Sequence, residues 1–568
     1  MKSRTIKITI LLVLIGLLIC APFVSYCLGE KRNAEKEEST AYQSTDKGYL
    51  EQYLYEGKNV MVIVPHEDDE LNLMAGILEQ YQNAASDVRV VFVTNGDCKE
   101  KAETRIGEAQ QAMRYYGILE ENIIFLGYGD QWENGHIYNA PDDEIMTSCA
   151  GRTETYGTET KKPYCDRKYT RAGLKEDLKN IILEYEPDTL FCSDYDTHCD
   201  HRAVSLFFEE VMGEILKERP DYTPDVYKGF AYFQAWKGEN DFYNDNIPSA
   251  SYDGSDEIPY NTSYLWERRV RFPVEAGSLA RKLEDSRTYR ALQFHASQNA
   301  ADHAERIIKG DKIFWKRRTE NSVLHGQIQV SSGDGSVLND FKIVDSDQIL
   351  EHDTIFDKGT WTADPEDMER SVKVIFAVPQ TLSEIVLYDN PSDTDNILDA
   401  EISFSDGTIL HSGKLYPKGA GTELYFPQKE QITGFTVKIL EAEGENAGLN
   451  EVEAYAQPEQ RQPNLIKLTD PEGNFVYDYW TAESGRAELC LYVYEAGLRG
   501  RICSVDTESF LVKTKGFGCK AEIRDGSIYV TCKTGRRGKL MVTDKETGML
   551  LDEIWISNPD KREREEVG

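Results

Sequence analysis

Between residues 60 and 193, short β-branched runs alternate with segments of helical spacing, and this alternation limits the fold more than any other feature of the chain. The runs Val60–Val64, Val88–Thr94, Ile123–Leu126 and Thr189–Ser193 are too short for helices and read as buried strands. Between them, "LNLMAGILEQYQNA", "AETRIGEAQQAMRYYG" and "RAGLKEDLKNIILEYEP" carry apolar residues at helical intervals. Such alternation implies an α/β domain with a mostly parallel sheet covered on both faces. Ligands bind such sheets at the carboxyl ends of the strands.

Two of these strands end in chemistry. Val60–Val64 runs into "PHEDDE", with His66, Asp68 and Asp69, and "TLFCS" runs into "DYDTHCDHRAV", with His198, Asp200 and His201. Histidines and carboxylates at a buried strand end are costly unless something pairs with them. Two histidines and one carboxylate make a zinc site that keeps a position open for water. Water held there ionises near neutral pH, and a second carboxylate can take its proton. An Asp-Asp pair alone would read as a solvated turn. A histidine cluster after a second strand of the same sheet argues against that reading.

The remainder of the 568 residues sets the context. Lys2, Arg4 and Lys7 precede an uncharged apolar run, Ile8–Val24, in the order of an export signal. Residues 1–28 are expected to form an N-terminal membrane anchor, with a cleaved signal as the alternative, and 29–48 a polar tether. The bulk of the chain is then extracytoplasmic, either membrane-anchored or secreted. The catalytic-type domain is assigned to 49–330, with a long insertion, His136–Lys168, above the sheet where loops shape pockets. It closes with the helical "LARKLEDSRTYRALQFHASQ" and with "FWKRRT", a structural seam of apolar and cationic contacts. Short alternating strands over 331–458 and 464–559 read as two β-sandwich domains, the second immunoglobulin-like by strand density. Among 11 cysteines, Cys490, Cys503, Cys519 and Cys532 cluster where disulfides are expected. The balance of 64 basic against 99 acidic residues, a net charge of −35, repels phosphate backbones and excludes nucleic acid as a partner.

"PHEDDE" followed by "HCDH" resembles the LmbE/PIG-L family of zinc-dependent N-acetylglucosaminyl deacetylases, whose usual forms are P-H-P-D-D-E and H-x-D-H. "VFVTNGD", "RIGEAQQAMRYYGI" and "FLGYGD" follow in the family's order, and the resemblance spans about Lys58 to Arg318. It implies a Rossmann-like sheet in which His66, Asp69 and His201 hold Zn2+, a site that Fe2+ can also fill. It further implies that Asp68 is the general base, and that His198, as a cation, steadies the oxyanion or assists the leaving amine. Arg105 and Asp130 are implied to contact the substrate, an N-acetylated sugar or glycan hydrolysed to acetate and a free amine.

Two positions depart from the pattern. Glu67 replaces the second proline, and Asp196 stands where some relatives carry a tyrosine. Asp200 is expected to orient a neighbouring histidine or cap a helix. Cys199 should point elsewhere, and His295 should pack. Tyr128, Trp132 and Tyr156 would either stack on a sugar or pack locally. "VLYDNPSDTDNILDAEISFSDGT" and the later "GLNEVEAYA" are similar to discoidin-like, galactose-binding jelly rolls, so the first sandwich would hold glycan or serve as a spacer. The reading is an exported zinc deacetylase acting on a surface glycan. The alternative is a carbohydrate-binding surface protein that has lost turnover.

Overall fold

The computed structural model describes residues 55–559, apart from 131–135, 232–267, 274–285, 345–358, 459–466, 472–475, 482–484, 494–500, 546–549 and some single positions and pairs. The anchor and tether expected over 1–48 lie outside the described residues. Among the described residues, no helix is long and apolar enough to cross a membrane.

Seven strands form the first sheet: β1 (Asn59–Val64), β2 (Asp87–Thr94), β3 (Ile123–Tyr128), β4 (Thr189–Ser193), β5 (Asp225–Gly229), β6 (Val270–Pro273) and β7 (Asp311–Arg317). Their order is β3-β2-β1-β4-β5-β7-β6. The first five run parallel, β7 pairs antiparallel with β5, and β6 pairs antiparallel with β7. β1 is central, with Val60 paired to Val88 on one side and Thr189 on the other. This explains why its apolar run is continuous rather than alternating. The strand order reverses between β1 and β4, so a crevice opens at their carboxyl ends.

Among the described residues the α-helices are α1 (Asp69–Met74), α2 (Ile77–Asn83), α3 (Ala102–Tyr115), α4 (Arg171–Tyr185), α5 (Cys199–Glu218), α6 (Arg287–Leu292) and the single turn α7 (Ala304–Ile307). On one face, Leu178 and Ile181 of α4 and Phe207 and Val211 of α5 pack with Met61, Ile63 and Val91. The single helix expected over 71–84 is instead two. Ala75 is extended and Gly76 takes φ 82°, a conformation glycine adopts without steric cost.

The second domain is an antiparallel jelly roll of β8 (Gln327–Val330), β9 (Trp361–Thr362), β10 (Ser371–Asp389), β11 (Asn396–Phe404), β12 (Ile409–His411), β13 (Gly421–Glu443) and β14 (Gly448–Tyr455). β8 pairs with β10, so the ladder begins ahead of residue 331. The expected short strands around Pro379 are one long strand. Its pairing with β13 lapses between Ile375 and Gln380, where a proline loses no ladder bond. The third unit, between Lys467 and Asn558, is two small sheets over a shared apolar core. Disulfides were expected there; Cys519 and Cys532 are thiols, and the side chain of Cys503 lies outside the described ones. Among the described residues, a disulfide joins Cys98 to Cys149 in the first domain.

"FWKRRT" forms β7 and its exit, and it docks the jelly roll. Arg317 Nη2 lies 3.3 Å from Glu453, with its guanidinium 4.4 Å from the centre of the Phe341 ring. Arg318 lies 3.5 Å from the Tyr455 ring centre and 2.6 Å from Glu384. Gly213 of α5 packs so closely that an added Cβ would fall 2.1 Å from the Asp340 carbonyl oxygen.

Candidate active site

The loop after β4 is held rigidly from beneath. Ser205 Oγ donates to Asp194 at 2.9 Å, and the buried Lys228 ammonium lies 3.2 Å from the same carboxylate. Arg202 Nε donates to the Asp196 carbonyl at 2.8 Å. His198 caps α5, its Nδ1 accepting from the Asp200 backbone N–H at 3.2 Å. After β1, the Asp68 and Asp69 amides both donate to the His66 carbonyl in a tight turn. Asp68 itself holds φ 157° and ψ −21°, a conformation L-residues seldom adopt and a kind of strain that collects at working sites.

These two turns bring three donor atoms together. His201 Nε2 is 3.0 Å from Asp69 Oδ2, His66 Nδ1 is 3.1 Å from the same oxygen, and the two nitrogens are 3.3 Å apart. Ligands of a tetrahedral zinc, at bonds of about 2.1 Å, lie roughly 3.3 Å from one another. The residues therefore fit a divalent ion in both chemistry and spacing. His198 belongs to the same cluster, its ring centre 4.7 Å from that of His66. Burial works against charge here, but Asp196 and Asp69 push His201 up to about 10. Burial also disfavours the Asp69 carboxylate, yet His201 and His66 hold it well below the usual range.

Each ligand-facing histidine has a carboxylate behind it. His201 Nδ1 meets Asp196 Oδ2 at 2.8 Å, and His66 Nε2 meets Asp200 Oδ2 at 3.3 Å. Such partners fix the tautomer, placing the proton on the rear nitrogen and the lone pair on the front one. The other oxygen of Asp200 meets His136 Nε2 at 3.0 Å. Asp130 lies 3.7 Å from His66 Nε2 and accepts from Thr94 Oγ1 at 2.8 Å. Its backbone carbonyl accepts from the Cys149 amide at 2.9 Å, beside the Cys98–Cys149 disulfide that fastens the insertion to the loop after β2.

Asp68 stands beside this cluster with Arg105. Arg105 Nη2 donates to Asp68 Oδ1 and to the Glu67 carbonyl, both at 2.9 Å, and Nη1 to the Gly96 carbonyl at 3.2 Å. Gly96 takes φ 57°, and a Cβ there would lie 2.4 Å from the guanidinium, so only glycine leaves room. Burial and the neighbouring Asp69 raise Asp68 to about 6, with Arg105 working against them. Glu67 is fully buried, 3.6 Å from Arg105 Nε, and burial raises it to about 8.

The structure thus brings His66, Asp68, Asp69, Asp130, His198 and His201 to one rim. Arg105 reaches it as well, with its guanidinium engaged by Asp68 and backbone carbonyls. Asp196 and His136 were not assigned roles from sequence. Asp196 sits five residues before His201, a signal visible in "DTHCDH", whereas nothing near His136 marks it. Tyr128 turns into the core and donates to Asp177 at 2.9 Å, and Tyr156 bonds Asp97. Trp132 lies outside the described residues. Cys199 packs in the core, and His295 is buried 2.7 Å from Glu70.

Residues 61–212 match the model of the family described as GlcNAc-PI de-N-acetylase, PIG-L. The matched segment covers most of β1, all of β2 to β4 and both histidine clusters. Residues 324–455 match a family described as a domain of unknown function, DUF7402. No curated protein matches the chain. Among solved structures, an N,N'-diacetylchitobiose deacetylase from Pyrococcus horikoshii is similar at 17% identity, covering 46% of this chain and 84% of that one, with a TM-score of 0.27. A deacetylase triple mutant of the teicoplanin biosynthetic pathway is similar at 15% identity over 46% and 98%, with a TM-score of 0.26. The jelly roll is similar to the family 32 carbohydrate-binding module of NanJ from C. perfringens, in complex with galactose, at 14% identity over 23% and 95%, with a TM-score of 0.19.

Proposed function

We propose that the chain is a metal-dependent amidohydrolase that removes the N-acetyl group from an N-acetylglucosamine-type sugar, within an extracellular or cell-surface glycan. The observation that carries this reading is the triangle of His66 Nδ1, His201 Nε2 and Asp69 Oδ2 at 3.0–3.3 Å, with a carboxylate base alongside. These three residues would hold zinc or another divalent ion, which supplies Lewis acidity and a water acidified to near neutrality.

The remaining chemistry belongs to the chain. Asp68 takes the proton from the attacking water, and Arg105 fixes which carboxylate oxygen is turned away for that task. His198 accepts a backbone N–H at Nδ1, so a neutral ring carries its proton on Nε2. Burial and the adjacent His66 and His201 hold it well below the usual histidine range, whereas the family resemblance implies a cation at this position. That N–H can bond the developing oxyanion or the departing nitrogen. Asp69 and the two histidines stay ligands, since their rear nitrogens are occupied by Asp196 and Asp200.

Export is part of the proposal. Its supports are the basic-then-apolar N-terminus and the Cys98–Cys149 disulfide, a bond that persists in oxidising compartments. Glycan binding by the jelly roll is likewise proposed, on the sequence features it shares with galactose-binding modules.

The test measures acetate released from N-acetylglucosamine oligosaccharides by the protein and by Asp68→Asn, with metal content determined for both. Metal in both and turnover only in the unmodified protein is expected. Bound metal without release from any acetylated glycan would favour a carbohydrate-binding surface protein.

A further inference from the structure

His136 begins the insertion above the sheet, caps the short turn Ile137–Asn139 and is buried. Its Nδ1 accepts the Tyr138 backbone N–H at 3.2 Å. That bond requires a lone pair on Nδ1, which leaves the ring proton of a neutral imidazole on Nε2. Nε2 points at Asp200 Oδ1 at 3.0 Å. Asp200 is 2% exposed, and its second oxygen faces His66 Nε2 at 3.3 Å.

We infer that His136 is a positioning residue for the metal centre: it pins the Asp200 carboxylate, and through it the ring orientation and tautomer of His66. The inference rests on the reading of His66 as a ligand. A buried carboxylate between two imidazoles is oriented by both, because each bond fixes one oxygen. Without the Nε2–H of His136, Asp200 loses one of the two imidazole bonds that orient it, and its hold on the ring of His66 loosens. The link also couples two distant parts of the chain. The insertion sets its own first turn and the metal ligand of β1 with one imidazole, using Nδ1 for the backbone and Nε2 for the carboxylate.

The geometry supplies its own pair of variants. In His136→Asn the amide oxygen still caps Tyr138, but the side chain stops short of Asp200. In His136→Gln the amide nitrogen replaces Nε2 and reaches it. Zn2+ alone is titrated against a chromophoric chelator with metal-free full-length protein, in His136→Asn, His136→Gln, Asp200→Asn and the double variant His136→Asn with Asp200→Asn. Loss of an outer-shell partner typically weakens metal binding by about 10- to 100-fold. The expected result is that loss in His136→Asn, recovery in His136→Gln, and no further loss when His136→Asn is added to Asp200→Asn. Thermal melting of each variant reports folding separately. Equal zinc affinity in His136→Asn and the unmodified protein overturns the inference, as does a full additional loss in the double variant. An unmodified protein that binds no zinc overturns the metal centre itself, which is a distinguishable failure.

Discussion

Asp196 Oδ2 stands 2.8 Å from His201 Nδ1, behind the ring whose Nε2 meets Asp69 at 3.0 Å. Both partners are fully buried, so the carboxylate has little alternative to that bond. Replacing Asp196 by Ala should therefore weaken zinc binding by about 10- to 100-fold, measured by chelator competition, while the fold persists. The residue that departs from the family pattern at this position faces His201.

Arg105 gives a prediction that separates two roles. A guanidinium serving as a sugar contact would raise KM when altered, whereas one holding Asp68 would lower kcat. Arg105→Lys loses the forked hold on Asp68 and the Glu67 carbonyl. Charge-assisted bonds of this kind are worth about 1.5–3 kcal/mol, so kcat should fall about 10- to 100-fold with metal content unchanged. Steady-state kinetics on an acetylated glycan decide between the two.

The disulfide carries a stability prediction. Cys98 and Cys149 are 51 residues apart, and closing a loop of this size stabilises a fold by about 2–4 kcal/mol. Cys98→Ser with Cys149→Ser should lower the melting temperature. Because Asp130 is bonded to the amides of both cysteines, the change should also raise KM more than it lowers kcat.

Asp389, at the end of β10, predicts a pH effect in the jelly roll. Burial raises its carboxyl to about 7, against the pull of the Ile397 and Asn390 amides that it accepts. The folded state thus binds this proton more tightly than the unfolded chain, whose value is about 3.9. Its contribution to stability is complete below about pH 4 and is lost as pH rises through about 7. The melting temperature should fall between pH 5 and pH 8, and Asp389→Asn should flatten that slope in calorimetry.

Much of the site was legible because it is local. "PHEDDE" and "DTHCDH" each follow a strand recognisable from β-branched residues alone, and a parallel sheet places both strand ends on one rim. What stayed hidden is set by tertiary contact. His136 and Asp200 are 64 residues apart and meet only because the insertion folds back, and Cys98 finds Cys149 for the same reason. Local periodicity also misread Ala75–Gly76, where a glycine turn splits an evenly spaced apolar pattern into two helices.

The docking of Arg317 and Arg318 onto Glu453, Tyr455 and Glu384 bears on where this protein can be cut. The matched segments end at 212 and begin at 324, inviting expression of each half alone. A fragment stopping near residue 320 would discard Glu453 and Glu384, leaving Arg317 with Glu209 and Arg318 with Glu320, and would bare the surface around Gly213. Excision should yield insoluble or loosened protein, and swapping the jelly roll for a foreign one would require transplanting its acidic residues as well.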